Sequence, residues 1–379
     1  MWHVLTNSGA CCGLVQAGTG GKMALPSGMF ITGLGTASPT QRYTQRECWG
    51  AFRESALSRQ LAPRSCALIR KVLTGDNGIR ARHLALNSLD EAFDLTPDAL
   101  HARFARHAPL LAAQAAQRAM AEAEVQPHQI DALLISTCTG YLCPGLTSYV
   151  SERLGLRPDA LGLDFVGQGC AAALPNLRAA EALLKSGRVQ RALSICVEVC
   201  SAALYFDDDP GVLISACLFG DGAGAAVLTA SPNGQRRVEW KTSAALLCPE
   251  SRDALRFEQR AGMLRNVLRQ QVPALAAEHA GTVLEGVLTG SGIGRSQLRG
   301  WVLHPGGRDV LAALRQQLGL EPRDVRWSEA VLQEYGNVSS ASVFFVLEAA
   351  RNDSTPGGYW WMSSFGAGFA CHGALLEVE

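Results

Sequence analysis

The chain has 379 residues, equal numbers (34 each) of Lys plus Arg and Asp plus Glu, and a 47% share of hydrophobic residues. That length fills one large or two medium cores, and the apolar share excludes a disordered chain. The charge balance leaves no electrostatic footprint for nucleic acid or an anionic membrane, and no window nears the ~18 unbroken apolar residues of a spanning helix, so no stable membrane insertion is expected.

In chain order, residues 1–28 are rich in Gly, Ser and Thr and lack both a basic n-region and a sustained apolar h-region. They read as a loose extension and not as a signal peptide. The fold is expected to begin at "MFITGLGTASP", near Met29. The 3.6-residue period predicts helices in "LLAAQAAQRAMAEAEV", "LRAAEALLKSG", "RDVLAALRQQLGL" and "SASVFFVLEAARN". Between them, short β-like apolar runs predict buried strands at 130–137, 191–198, 223–230, 298–304 and 358–364. This alternation indicates an α/β protein whose helices cover mixed or parallel sheets. The turn-rich stretch "TASPNGQRRVEW" (229–240) divides the chain into an N-terminal half, 29–233, and a C-terminal half, 234–379.

The twelve cysteines include no CxxC pair and no Cys/His spacing suited to zinc. Many sit in apolar runs, where cysteine behaves as a small hydrophobe. Free thiols in a reducing cytosol are the expectation, with no metal site.

Three places set a reactive side chain where a strand gives way to a turn, which is where open α/β sheets build sites. In "VGQGCAAALP" (166–175), Cys170 follows two glycines and precedes an Ala-rich helix whose regular part starts near residue 174, because of Pro175. The helix N-terminus is expected to lower the thiol pKa. In "VLHPGGRDV" (302–310), His304 ends a strand before Gly306 and Gly307. In "EYGNVSSAS" (334–342), Asn337 precedes a helix for which Ser339 and Ser340 suit capping. Taken singly, each reads as an ordinary core cysteine, a structural histidine or a turn asparagine. Together, Cys170, His304 and Asn337 form a nucleophile, base and orienter.

The stretches "GQGCAAALPNLRAAEALL", "LHPGGRDVL", "LFGDGAGAAVL" and "EYGNVSSASVFFVLEAAR" resemble the type III polyketide synthases, the chalcone-synthase-like branch of the thiolase superfamily. The resemblance runs from about residue 29 to the C-terminus. It implies two similar halves in a five-layered αβαβα fold, a homodimer, and the catalytic set Cys170, His304 and Asn337. "CTGYLCPGL" and "RFEQRAGMLRNVLRQQVP" further resemble bacterial alkylresorcinol and alkylpyrone synthases, which implies a fatty acyl starter. The implied reaction loads an acyl group from coenzyme A, or from an acyl carrier protein, onto Cys170. Malonyl-CoA then loses CO₂, and the carbanion, stabilised by His304 and Asn337, extends the chain. No metal or redox cofactor is implied.

Further positions follow from the same resemblance. Phe219 matches the aromatic gatekeeper, with core packing as the rival reading. Cys138 and Thr139 match cavity-lining positions, and Cys143 matches a residue near the dimer interface; both cysteines also read as plain core. Ser339 matches a serine beside the nucleophile. Arg70 and Lys71 match basic residues at a CoA tunnel, or else a solvated helix face. Asn266 stands where plant enzymes often carry a second gatekeeper phenylalanine, and Ala203 where many relatives have a larger residue. In "SSFGAGFACHG" (363–373), Gly366 and Ala367 depart from the commoner Gly-Phe-Gly-Pro-Gly loop, so the Ala367 N–H is either an added oxyanion donor or a change of loop. The rival functions are a ketoacyl synthase III that performs one condensation on a carrier protein, and a catalytically silent thiolase-fold partner.

Overall fold

A computed structural model describes residues 28–232, 237–353 and 356–379. Residues 1–27 of the expected extension, and the expected boundary at 233/234, lie outside the described residues. The N-terminal half runs β1 (Met29–Ala37), β2 (Arg42–Thr44), α1 (Gln45–Glu54), α2 (Pro63–Thr74), β3 (Ala81–His83), α3 (Pro97–Glu122), β4 (Ala132–Ser136), α4 (Leu146–Leu154), β5 (Leu161–Phe165), α5 (Ala173–Lys185), β6 (Arg191–Glu198), α6 (Pro210–Leu218) and β7 (Gly222–Thr229). The C-terminal half runs β8 (Val238–Leu247), β9 (Leu255–Arg260), β10 (Met263–Leu268), α7 (Val272–Ser291), β11 (Leu298–Leu303), α8 (Arg308–Gln317), α9 (Arg326–Tyr335), α10 (Ser342–Asn352), β12 (Gly358–Gly366) and β13 (Ala370–Val378).

The main sheet has the order β11-β12-β13-β8-β1-β7-β6-β4-β5. Its two sides repeat one pattern. On the N-terminal side, β1 and β7 pair antiparallel, as do β7 and β6, while β6 and β4 pair parallel. On the C-terminal side, β8 with β13, β13 with β12 and β12 with β11 repeat that sequence of directions. A short β1–β8 contact, Met29 opposite Trp240, joins the sides.

Packing turns the two sides into layers. Helices α5 and α10 share one buried cluster with strands of both sides, including Leu177, Phe344, Ala226 and Trp360. Helix α3 covers the outer face of the N-terminal side with an alanine-rich stripe, Ala108, Ala112, Ala115 and Ala119. Helices α7 and α8 cover the outer C-terminal face through Val283, Leu284, Val310 and Leu314. The result is the expected αβαβα stack, in which helices cover the central strands of the main sheet. The strand runs expected at 191–198 and 358–364 are β6 and the body of β12.

Candidate functional site

The two central helices, α5 and α10, begin at matching ends of the two sides, and a short 3₁₀ turn precedes each. The turn before α5 is Gly169–Ala171 and carries Cys170. The turn before α10 is Ser339–Ala341. Ser339 sits at φ 49°, unusual for a residue with a Cβ, and this places its hydroxyl between two thiols. Its Oγ lies 3.3 Å from Cys170 Sγ and 3.4 Å from Cys138 Sγ. The expected capping role is therefore not what these serines do: α10 has no side-chain N-cap, and Ser340 donates its hydroxyl to Glu198.

Asn337 is tied to the same turn. Its Oδ1 accepts from Ser339 N–H at 2.8 Å, and its Nδ2 donates to Gly306 O at 3.1 Å. One amide hydrogen is thereby engaged and the other remains to donate. His304 follows β11, and its backbone N–H donates to Ser363 O on β12 at 3.0 Å. The neighbouring Ser364 hydroxyl reaches Ala171 O at 3.2 Å, so adjacent residues of β12 hold both the histidine and the cysteine turn. Gly366 allows that approach: a Cβ there would lie 2.5 Å from Ala171 N and 2.6 Å from Gln168 O. The His304 ring meets the Phe365 ring edge-on at 5.1 Å between centroids. Neither ring nitrogen has a hydrogen-bond partner among the described residues, although His304 is buried. Unpaired buried polar atoms are rare and destabilising, so these two nitrogens are open to a visiting donor or acceptor.

Burial sets the electrostatics. It pushes the Cys170 thiol up to about 12, against a lowering by the Ser339 hydrogen bond. It also pulls the His304 imidazole down to about 3. This corrects the expectation of a thiol pKa lowered by the helix terminus: desolvation outweighs the dipole. Both shifts favour the neutral forms, thiol and imidazole, at rest. Alkylation of Cys170 by iodoacetamide, followed by mass spectrometry of its peptide, is expected to keep accelerating past about pH 9. A plateau near neutral pH would instead reveal a preformed thiolate.

A cavity of about 50 Å³ opens at the thiol. Its lining includes Cys138, Thr139, Cys200, Ala203, Leu204, Ala216, Phe219, Asn266, Ser339 and Ala367. Of the residues singled out in the sequence, Cys170, Phe219, Cys138, Thr139, Ala203, Asn266, Ser339 and Ala367 thus share one wall. His304, Asn337, Gly306 and Gly307 lie outside that lining, with Ser339 bonded to both Cys170 and Asn337. Cys143 is exposed and does not reach the cavity. Arg70 and Lys71 are exposed on α2 beside Trp49 and Thr74, away from the cavity. Among the described residues, no group of His, Cys, Asp or Glu is arranged to hold a metal ion, and no helix is long and apolar enough to cross a membrane.

Two features have no signal in the sequence pattern. Glu198, fully buried at the end of β6, accepts from the hydroxyls of Thr137, Thr139 and Ser340 and from both the backbone N–H and the thiol of Cys138. Burial nevertheless raises its pKa. Arg256, on the β9–β10 hairpin, also lines the cavity, paired with Glu258 at 2.8 Å.

A five-layered stack of two matched halves, with one thiol turn from the N-terminal half meeting the Asn337–Ser339 turn of the other, is the architecture of the thiolase-type fold. Residues 239–377 match the model for the C-terminal domain of chalcone and stilbene synthases, and residues 54–254 match that for FAE1/type III polyketide synthase-like proteins. The chain is 30% identical to a 3,5-dihydroxyphenylacetyl-CoA synthase of Streptomyces toyocaensis, over 96% of this chain and 93% of the relative. It is 27% identical to an alpha-pyrone synthesis polyketide synthase-like protein of Mycobacterium tuberculosis, over 92% and 91% of the two chains. The crystal structure of PKS-I from the brown alga Ectocarpus siliculosus superposes with a TM-score of 0.84 at 26% identity, over 93% of this chain and 98% of that one. The chain belongs to the type III polyketide synthase family, and so is an enzyme of the acyltransferase kind.

Proposed function

We propose that this enzyme loads a medium or long fatty acyl thioester onto Cys170, extends it with malonyl-CoA units and closes the product to an alkylpyrone or alkylresorcinol. The observation that carries the fatty starter is a second chamber, of about 40 Å³, behind the catalytic cavity. Phe52, Ile69, Leu73, Leu84, Leu89, Phe93 and Phe206 line it, and it shares the wall formed by Leu204, Ala216 and Phe219 with the first. A longer apolar tail gains by crossing that wall, at about 0.8 kcal/mol for each CH₂ buried. The name of the mycobacterial relative, which refers to alpha-pyrone synthesis, favours the same kind of ring.

In this mechanism His304 takes the thiol proton as the starter carbonyl arrives, Cys170 Sγ bonds the carbonyl carbon, and the starter's own C–S bond breaks, its carrier thiol leaving with the proton returned by His304. Malonyl-CoA then loses CO₂, and the enolate oxygen takes hydrogen bonds from a His304 ring N–H and the free amide hydrogen of Asn337. The carbanion attacks the Cys170 thioester, the chain grows by two carbons and the thiolate is released to be loaded again. This chemistry uses coenzyme A thioesters and calls for no metal or redox cofactor. Membership in the type III polyketide synthase family favours repeated extension over the single-condensation ketoacyl synthase reading. We further propose a homodimer through the edge strand β5, where Leu161 is exposed close in sequence to exposed Val166. An open edge strand with exposed apolar residues beside it invites pairing with another chain, and a second copy would cover it.

The test is product mass spectrometry with malonyl-CoA and straight-chain acyl-CoAs of increasing length, on wild type and Leu204→Trp. Triketide and tetraketide pyrones or resorcinols from long starters are expected in wild type, with a shift to short starters in the variant. Products built from malonyl units alone, with no acyl-CoA incorporated, would reject the fatty starter.

A further inference from the structure

Helix α6 supplies Val212, Ser215, Ala216 and the adjoining Phe219 to the cavity wall. Its C-terminal carbonyls have no partners within the helix and need donors from elsewhere. The structure provides one for each. Ala216 O accepts from Arg82 Nη1 at 2.8 Å, and Phe219 O from the same nitrogen at 3.0 Å. Cys217 O accepts from Gln45 Nε2 at 2.9 Å. Leu218 O accepts from the backbone N–H of Asn337 at 2.9 Å. Gly220 N–H returns the contact to Asn337 O at 3.0 Å, so Phe219 and Asn337 face each other in an isolated parallel bridge.

Arg82 and Gln45 are a built pair. Both are buried, and Arg82 Nε donates to Gln45 Oε1 at 3.0 Å. The stem of Arg82 packs on the turn before Asn337: a Cβ on Gly336 would meet Arg82 Cγ at 3.0 Å and Leu218 O at 2.6 Å, and Gly336 sits at φ 69°. A buried cation at a helix C-terminus is offset by the negative end of the helix dipole, so the charge is well placed there. Planar guanidinium geometry lets one nitrogen hold two carbonyls in a fixed relation.

We propose that Arg82, propped by Gln45, is a positioning residue: by capping α6 it sets the gatekeeper Phe219 and, through the shared Leu218 carbonyl, the amide of Asn337. The proposal rests on the reading that Asn337 stabilises the malonyl-derived enolate. Cys170 is also held by β12 through Ser364 and Gly366, and Ser339 is the link between it and Asn337, so the pair is expected to act first on the enolate side.

The experiment measures malonyl-CoA decarboxylation, Cys170 alkylation and folded fraction in Arg82→Gln, Arg82→Lys and Gln45→Leu, beside Asn337→Asp. Arg82→Gln is expected to lower kcat for decarboxylation about 10²-fold, the effect of a misplacement near 1 Å, with KM within about threefold of wild type. The alkylation rate of Cys170 stays unchanged. Arg82→Lys recovers part of kcat, because an ammonium can still cap one carbonyl. Gln45→Leu moves kcat the same way by less, and carries the test if Arg82→Gln fails to fold. Wild-type kcat in Arg82→Gln or, should that variant fail to fold, in Gln45→Leu overturns the proposal. So does a fall in kcat matched by equal falls in alkylation and folded fraction, which marks a purely structural role. If Asn337→Asp itself keeps decarboxylating at the wild-type rate, the underlying reading of the amide is what fails.

Discussion

Cys170→Ala is expected to abolish acyl-enzyme formation and to lower polyketide output by about 10⁵-fold or more, as loss of a covalent nucleophile does elsewhere. Two other thiols, Cys138 and Cys200, line the same cavity and compete for the role. Cys138 donates its thiol hydrogen to Glu198 Oε1 at 3.3 Å, an acceptor whose negative charge disfavours a thiolate beside it. Burial, reinforced by Glu198, raises that thiol well above its ordinary value. Cys200 is likewise raised by burial, then by Asp221 and Glu198. Cys170 alone stands on the turn that leads into α5, tied through β12 to the residue beside His304. Burial raises its thiol too, but the Ser339 hydrogen bond is the next largest influence and works downward. Intact-protein mass spectrometry after incubation with acyl-CoA reads the outcome: an acyl adduct in wild type and none in Cys170→Ala. An adduct that persists in the variant would move the nucleophile to one of the other two thiols. Malonyl-CoA decarboxylation is expected to survive in Cys170→Ala at a reduced rate, because the groups proposed to hold the enolate are His304 and Asn337.

The candidate triad and the strands are legible because their signals are local. An apolar run such as 191–198 becomes β6 with the same bounds, and glycines beside Cys170, His304 and Asn337 announce the turns that carry them. What stays hidden depends on distance along the chain. Glu198 draws donors from Thr137 and Thr139, about 60 residues away, and from Ser340, 142 residues away, so nothing near it in sequence announces an acid hub. Ser339 and Ser340 precede a helix, which is a capping signal, but their hydroxyls are claimed by Cys170 and Glu198 across the interface of the two halves. The thiol pKa misleads for a related reason. A helix start is visible in a sequence, whereas the desolvation of Cys170 comes from surroundings assembled by strands of both halves. Arg82 shows the same limit: its guanidinium is buried at the end of a helix more than 130 residues further along, and no residue near it in sequence announces that partner.

Asn337→Asp is expected to lower malonyl-CoA decarboxylation by about 10²–10³-fold, the usual consequence of losing one oxyanion donor. Aspartate keeps the shape of asparagine and its Oδ1, so the 2.8 Å bond from Ser339 N–H and the turn that presents Ser339 to Cys170 should persist. The Nδ2 donor is what disappears. One of its hydrogens goes to Gly306 O, and the loss of that bond loosens the turn after His304. The other is the hydrogen proposed for the enolate, and a carboxylate in its place would repel the developing negative charge. Acylation of Cys170 forms no enolate, so the pre-steady-state burst of acyl-enzyme should remain within a few-fold of wild type, while KM for malonyl-CoA moves little. That split separates two roles for the same side chain. If the burst falls as far as decarboxylation, Asn337 acts through Ser339 on the thiol. If only decarboxylation falls, the amide is the enolate donor, and the turn it shares with α6 is part of the catalytic geometry.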